Sequence, residues 1–266
     1  MTDTNDKILP KPLEPSFQDL FTQSFVATTF VYTMGKVGSS SVAGALLDAN
    51  HPCYDVHHLQ PERLRELLNR FLESDIYPTL PLHLIRSLQA YNALKLRRKI
   101  TYITLIRDPV SHFVSNVLQN LPKGADWSQD AISSLLARYP TNIPDNWMKN
   151  ELYPITGFDP GSARVDPTQD HFRFAGKDGS RVLMIKVECP DERKAAAIKN
   201  LLGFNITIVR KNVSAEKHYA TEYAELLRTI GTSHRHVVEG CLEAEYFRIF
   251  YSEAERQAIA DKYLNA

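Results

Sequence analysis

The segment Gly35-Lys36-Val37-Gly38-Ser39-Ser40-Ser41 gathers the residue types that can surround a phosphate. Glycines let a chain turn tightly enough to aim amide N–H groups at an anion, and a helix start supplies unpaired amides with a partial positive charge. Gly35 and Gly38 permit the turn, Lys36 brings a mobile cation, and Ser39, Ser40 and Ser41 add hydroxyl donors where a helix would begin. The nucleoside-triphosphate form of this device is G-x-x-x-x-G-K-[ST], with the lysine after the second glycine and a hydroxyl on magnesium. Here Lys36 precedes Gly38, which departs from that form. A serine-rich helix start beside a solvated lysine is the plainer reading of the same residues.

A second constellation starts at Arg107-Asp108-Pro109. Val110, Phe113, Val114, Val117, Leu118 and Leu121 then recur at three- and four-residue intervals, the mark of a helix with one apolar stripe. Asp108 suits the N-cap and Pro109 the first helical position. Ser115 falls on the flank of the stripe, about 9 Å along the helix at ~1.5 Å per residue. An arginine and a serine hydroxyl so placed can share one phosphate.

Lys36-x-Gly38-Ser39-Ser40 after one strand, and Arg107-Asp108-Pro109 with Ser115 after another, resemble the two nucleotide loops of sulfotransferases. These enzymes use 3′-phosphoadenosine 5′-phosphosulfate. The resemblance implies that Lys36, Gly38, Ser39, Ser40 and Ser41 hold the 5′-phosphosulfate and that Arg107 and Ser115 hold the 3′-phosphate. It also implies a P-loop NTPase-like fold and metal-independent transfer. Trp147-Met148-Lys149-Asn150-Glu151-Leu152, Gly157-Phe158-Asp159, Asn212-Val213-Ser214-Ala215-Glu216-Lys217-His218-Tyr219 and Phe250-Tyr251-Ser252 are similar to a bacterial branch described as capsular polysaccharide synthesis proteins. The likeness spans roughly Tyr32 to Ser252. It departs from the cytosolic members in Ser39 and Ser40, where many carry threonine, and in Asn212, where their third nucleotide segment has glycine.

Sulfuryl transfer to a hydroxyl needs charge stabilised on the departing oxygen and a proton removed from the acceptor. Lys36, a compact charge on a flexible stem, suits the first task. For the second, His57 and His58 lie at the end of a predicted strand, on the rim where the first loop opens. Alternation along a strand lets one of the pair face a cleft, and His57 is the choice, a position where the bacterial branch often has histidine. Asp55 lies on the same strand face and is either an orienter of His57 or the base itself. Glu151 and Glu188 are further acids or bases, or surface carboxylates. Lys211 and Lys217 flank a predicted helix start where they grip the nucleotide or form a solvated basic turn. Trp147 and Tyr153 read as core or groove aromatics on which a glycan could stack. His234-Arg235-His236 reads as an exposed polar stretch between helices, and no metal-ligand spacing stands out.

These residues need a frame. Phe25 to Thr33 is dense in β-branched and aromatic residues and predicts a strand running into the first loop, and Val42, Ala45, Leu46 and Ala49 predict the helix after it. A strand at Cys53 to His57, helices over Pro61 to Ser74 and Leu82 to Leu96, and a strand at Ile100 to Ile106 follow. Trp127 to Gly157 predicts two helices, His171 to Lys186 a hairpin turning at Lys177-Asp178-Gly179-Ser180, and Ile206 to Val209 a further strand in a helical C-terminal part. Alternating strands and helices predict a three-layer α/β fold, a parallel sheet flanked by helices, with ligands at the carboxyl ends of the strands. Residues 1–24, with Pro10, Pro12 and Pro15 among polar residues, read as a flexible arm, and 25–266 as one domain.

The bulk composition narrows the partners. Lys plus Arg and Asp plus Glu both total 31 in 266 residues, so no global field draws the chain to nucleic acid or an anionic membrane. Cys53, Cys189 and Cys241 form no Cys-x-x-Cys pair and predict neither a disulfide framework nor a zinc cage. The start Met1-Thr2-Asp3-Thr4-Asn5-Asp6 lacks the features of a signal peptide and no run approaches the ~20 apolar residues of a span, so a cytoplasmic location is expected. The expected partners are the nucleotide and a saccharide or similar hydroxyl acceptor. An ATP and magnesium phosphotransferase with Asp108 on the metal, and an inactive nucleotide-binding assembly protein, are the competing readings.

Overall fold

The β-branched and aromatic runs form a five-stranded sheet in the computed structural model, which describes residues 27–73, 80–96, 99–119, 128–209 and 220–265. Strand β1 (Thr29–Tyr32) leads through the first loop into helix α1 (Ser39–Asp48), followed by β2 (Cys53–Val56), α2 (Pro61–Leu72), α3 (Leu82–Lys95) and β3 (Thr101–Ile106). Helices α4 (Pro109–Gln119), α5 (Gln129–Arg138) and α6 (Ile143–Trp147) come next, then a π turn (Met148–Leu152) and α7 (Tyr153–Thr156). The hairpin β4 (His171–Ala175) and β5 (Arg181–Lys186) precedes α8 (Asp191–Leu202), α9 (Ala220–Ser233), α10 (Arg235–Leu242), α11 (Glu245–Phe250) and α12 (Glu253–Leu264).

The spatial order is β2-β1-β3-β5-β4. The β1–β2, β1–β3 and β3–β5 pairs are parallel, with Val31 opposite both Asp55 and Ile103. The β4–β5 pair is antiparallel, as the hairpin reading requires, so the expected parallel sheet is a mostly parallel one with an antiparallel edge. Every residue of β3 is buried, as befits a central parallel strand covered on both faces.

Side chains leave the sheet in alternation and feed two cores. Phe30, Tyr32, Tyr102, Ile106, Val182 and Met184 join one with Trp147, Tyr246 and Phe250. Val31, Ile103, Leu105, Leu183 and Ile185 join the other with Val42 and Leu46 of α1 and Ala197 and Ile198 of α8. Helix α4 carries its apolar stripe into a third core with α5, α9, α10 and α12, through Val110, Phe113, Val114 and Val117 against Leu226, Ile230 and Val238.

The chain steps from β1 to β2 on one side and to β3 on the other, so the loops leaving the carboxyl ends of β1 and β3 open side by side. That is the switch point where open α/β sheets bind ligands. The first loop and Arg107 occupy it.

Several expectations are corrected. Residues 206–209 form no strand: the chain leaves α8 through Gly203 at φ 91° and Ile206 and Ile208 pack on the second core without a ladder. The stretch read as two helices is three short ones with a π turn between the last two. His234 lies between α9 and α10 as expected but is buried, 9% exposed, while Arg235 and His236 are exposed and belong to α10. Lys211 and Lys217, Phe25 and Val26 of the first predicted strand, and the arm at 1–24 lie outside the described residues.

Candidate functional site

Loop 33–38 is shaped by its backbone. Gly35, Lys36 and Gly38 all have positive φ, at 82°, 57° and 74°. Lys36 is the non-glycine among them, and a side chain in that region costs on the order of 1–2 kcal/mol. The N-cap of α1 is Gly38, whose lack of a side chain leaves the cap without a side-chain hydrogen bond, while Ser41 N bonds back to Gly38 O at 3.1 Å. The serines are therefore the first helical residues and not caps. Ser40 is exposed, Ser41 half-buried, and Ser39 buried with its hydroxyl bonded to Asp55.

The β3–α4 junction forms as its residue types dictate. Asp108 Oδ1 accepts from Ser111 N at 2.8 Å and caps α4, with Pro109 as the first helical residue. Tyr263 OH donates to Asp108 Oδ2 at 3.3 Å, and the Asp108 amide donates to Glu188 Oε1 at 2.8 Å. Glu188 is the exposed carboxylate the sequence suggested, but both its oxygens are engaged, the second by Tyr251 OH at 2.9 Å. Burial of the carboxyl group and the neighbouring Asp108 carboxylate raise its pKa.

Arg107 joins the two motifs. Its NH1 donates to the Lys36 carbonyl at 3.1 Å and to Ser115 Oγ at 2.9 Å, and its NH2 donates to Tyr223 OH at 3.1 Å. Its own carbonyl accepts from buried Tyr246 OH at 2.6 Å, which pins the backbone beneath the guanidinium. Lys36, 71 positions before Arg107, thus stands with Arg107 and Ser115 at the switch point.

His112 completes the junction. It is 2% exposed, and a ring N–H donates to the Gly35 carbonyl. Burial, with Arg107 and Lys36 nearby, pushes its pKa down to about 4, so it is neutral near pH 7.

The two adjacent histidines part company just beyond β2. His57 Nδ1 bonds the Thr33 carbonyl at 2.9 Å, and its ring lies over Gly35, with Cε1 and Nε2 each 3.9 Å from where a side-chain carbon would stand. The Nδ1 proton is spent on that carbonyl, so Nε2 carries the lone pair toward the loop. His58 turns away: its Nδ1 bonds Glu151 Oε1 at 3.1 Å. The orienter of His57 is the Thr33 carbonyl and not Asp55, which instead meets Ser39. Burial raises the Asp55 pKa against the lowering effects of His57 and Ser39.

Glu151 is 4% exposed, not a surface group. The π turn carries it inward, where Oε2 accepts from Tyr32 OH at 2.7 Å, Leu59 N at 2.9 Å and Gln60 N at 3.1 Å. Burial works to raise its pKa, but the bonds from His58, Leu59 and Tyr32 outweigh it and the net shift is down. Trp147 is no stacking platform, being 7% exposed with Nε1 donating to the His57 carbonyl at 2.8 Å. Half-buried Tyr153 packs on Phe158 at 5.4 Å between centroids.

The sequence held little sign of His112, Tyr223, Thr33 or the buried role of Glu151. His112 sits within an apolar helix face and reads as core, and a carbonyl such as that of Thr33 leaves no mark in a residue type. Among the described residues no cluster of three or more His, Cys, Asp or Glu is arranged to hold a metal ion, and no helix is long and apolar enough to cross a membrane. Comparison with protein-family models, curated proteins and solved structures found no match.

Proposed function

We propose that this chain is a sulfotransferase that takes a sulfuryl group from 3′-phosphoadenosine 5′-phosphosulfate to a hydroxyl of a saccharide or similar polar acceptor, on a P-loop-like α/β frame. The observation that carries the reading is the reach of Arg107 to both the Lys36 carbonyl and Ser115 Oγ, which makes the two phosphate-type motifs one continuous site. A nucleotide phosphorylated at both its 3′ and 5′ ends matches two such neighbouring subsites, Arg107 with Ser115 for one end and the loop with Lys36 and Ser39 to Ser41 for the other.

In this reading the acceptor O–H gives its proton to His57 Nε2 as its oxygen bonds sulfur. The bond from sulfur to the phosphate oxygen breaks with its electron pair going to the departing bisphosphate, where Lys36 meets the developing charge. The Thr33 carbonyl supports this role by fixing the His57 tautomer and steadying the imidazolium once formed. Asp108 is already engaged as a helix cap and by Tyr263, which argues against giving it the magnesium role of an ATP enzyme.

Thermal stabilisation separates the readings, since a ligand that binds the folded chain raises its melting temperature with concentration. Adenosine 3′,5′-bisphosphate is expected to stabilise the protein more than ATP with magnesium, and less in Lys36→Ala and Arg107→Ala. Preference for ATP with magnesium overturns the sulfotransferase reading. Bisphosphate binding without transfer to any of a broad panel of hydroxyl acceptors supports a nucleotide-binding assembly protein instead.

A further inference from the structure

His112 is a buried titratable group for which the transfer chemistry has no use. Its ring N–H donates to the Gly35 carbonyl, while Nε2 is buried with no partner among the described residues. The proton on the bonded nitrogen is therefore on Nδ1. Buried polar atoms without partners are rare, and one of them beside a loop invites a reason.

The loop supplies one. In a trans peptide the C=O and the following N–H point in opposite directions. His112 draws the Gly35 carbonyl toward α4, and Arg107 NH1 draws the next carbonyl, that of Lys36, at 3.1 Å. Two successive peptide planes are thereby turned so that the N–H groups of Lys36 and Val37 point the other way. Gly35 and Lys36 both hold left-handed φ values, 82° and 57°, a conformation a lysine does not keep unaided. Successive amides turned to one side are the backbone form of an anion site.

We propose that His112 is a positioning residue, a latch that with Arg107 turns the Gly35 and Lys36 carbonyls back and so holds the loop's amides toward the 5′-phosphate end of the nucleotide. The inference rests on the nucleotide reading above for its ligand, while the latch itself is a property of the free chain. When a nucleotide phosphate engages Arg107, His112 keeps the loop in place, so the β3–α4 unit serves both phosphates. The charged groups beside the ring are Arg107 and Lys36, and both favour its neutral form.

The test uses the full ¹⁵N-labelled chain with His112→Phe, which keeps the ring but no donor, and His112→Asn, whose amide can donate from near the Nδ1 position. Imidazole nitrogen NMR between pH 8 and pH 5 is expected to find His112 neutral with its proton on Nδ1. An Nε2–H tautomer, or titration near ~6.5 as in an unperturbed histidine, overturns the latch. By calorimetry, His112→Phe is expected to weaken 5′-AMP about five- to ten-fold, the equivalent of one hydrogen bond, and to leave 3′-AMP unchanged, with His112→Asn within about two-fold of the parent. Equal 5′-AMP affinity in a folded His112→Phe, or a matched loss for both nucleotides, overturns it too. If the parent binds neither nucleotide, the sulfotransferase reading fails and the NMR decides the latch. The latch then stands only if His112→Phe shifts the Gly35 to Val37 amide signals and His112→Asn restores them.

Discussion

Replacing Glu151 perturbs the rim of the site in a way whose size follows from its partners. Oε2 accepts from Tyr32 OH, Leu59 N and Gln60 N, and Oε1 from His58 Nδ1. In Glu151→Gln the amide oxygen can take the Oε2 place and keep its three donors, but each bond loses its charge assistance, roughly half its strength. Relief of a buried charge offsets some of that, for a net loss of about 1.5 kcal/mol. The amide nitrogen then faces His58 Nδ1, donor to donor, and His58 escapes by moving its proton to Nε2. Glu151→Ala instead strands two amides and a phenol, at ~1–3 kcal/mol each, for about 4 kcal/mol once water and relaxation are allowed for. At ~2–4 °C per kcal/mol for a chain of this size, the melting temperature falls about 4 °C in Glu151→Gln and about 12 °C in Glu151→Ala. Circular dichroism melts at pH 7 read these values, and imidazole NMR reads the His58 tautomer. Equal melting temperatures in the two variants, or a His58 proton still on Nδ1 in Glu151→Gln, would refute the reasoning. Because the folded carboxyl titrates below its unfolded value, its contribution is full above pH ~4.3 and is lost as the pH falls through the folded value.

Three further outcomes are expected. His57→Ala lowers sulfate transfer by roughly 10²- to 10⁴-fold, the range of a general base, with bisphosphate affinity in calorimetry little changed. His112 titrates at about 4 when folded against ~6.5 unfolded, so its contribution is full above pH ~6.5 and is lost as the pH falls toward 4. Urea titrations should therefore show about 2 kcal/mol of stability lost between pH 7 and pH 5 through this group, a slope absent from His112→Phe. Lys186, 1% exposed, donates to Pro167 O and both Glu255 oxygens, while Glu255 is also held by Ser252 N and Oγ. Lys186→Met therefore strands the Pro167 carbonyl and leaves Glu255 Oε1, partly exposed, to solvent, and costs about 2 kcal/mol, a fall of about 6 °C in a melt.

Local signals carried most of the frame. Asp108 and Pro109 mark the start of α4 because capping is a matter of neighbours along the chain, and Lys177 to Gly179 marks its hairpin for the same reason. The adjacency of Lys36 and Arg107 was legible only as an expectation, since it depends on β1 and β3 pairing across a crossover. What stayed hidden are groups whose roles are set by distant partners. Glu151 looks like any helix-surface carboxylate until a π turn swings it under Tyr32 and Leu59. Strand alternation favoured His57 over His58, but their partners were not legible: one is held by the Thr33 carbonyl just past β1 and the other by Glu151, 93 positions away. Ile206 and Ile208 have strand composition, but side-chain packing alone satisfies them where no strand edge is offered.

The claim that Arg107 and the first loop hold opposite ends of one nucleotide is tested most directly by calorimetry with two ligands on two proteins. Adenosine 3′,5′-bisphosphate and 5′-AMP are titrated into the parent chain and into Arg107→Ala. Loss of the charge-assisted pair predicts a fall of about 100-fold in bisphosphate affinity and a smaller one, about five- to ten-fold, for 5′-AMP, because the Arg107 bond to the Lys36 carbonyl is lost while His112 still holds that of Gly35. An equal loss for both ligands, or none for the bisphosphate, would contradict the assignment of Arg107 to the 3′-phosphate.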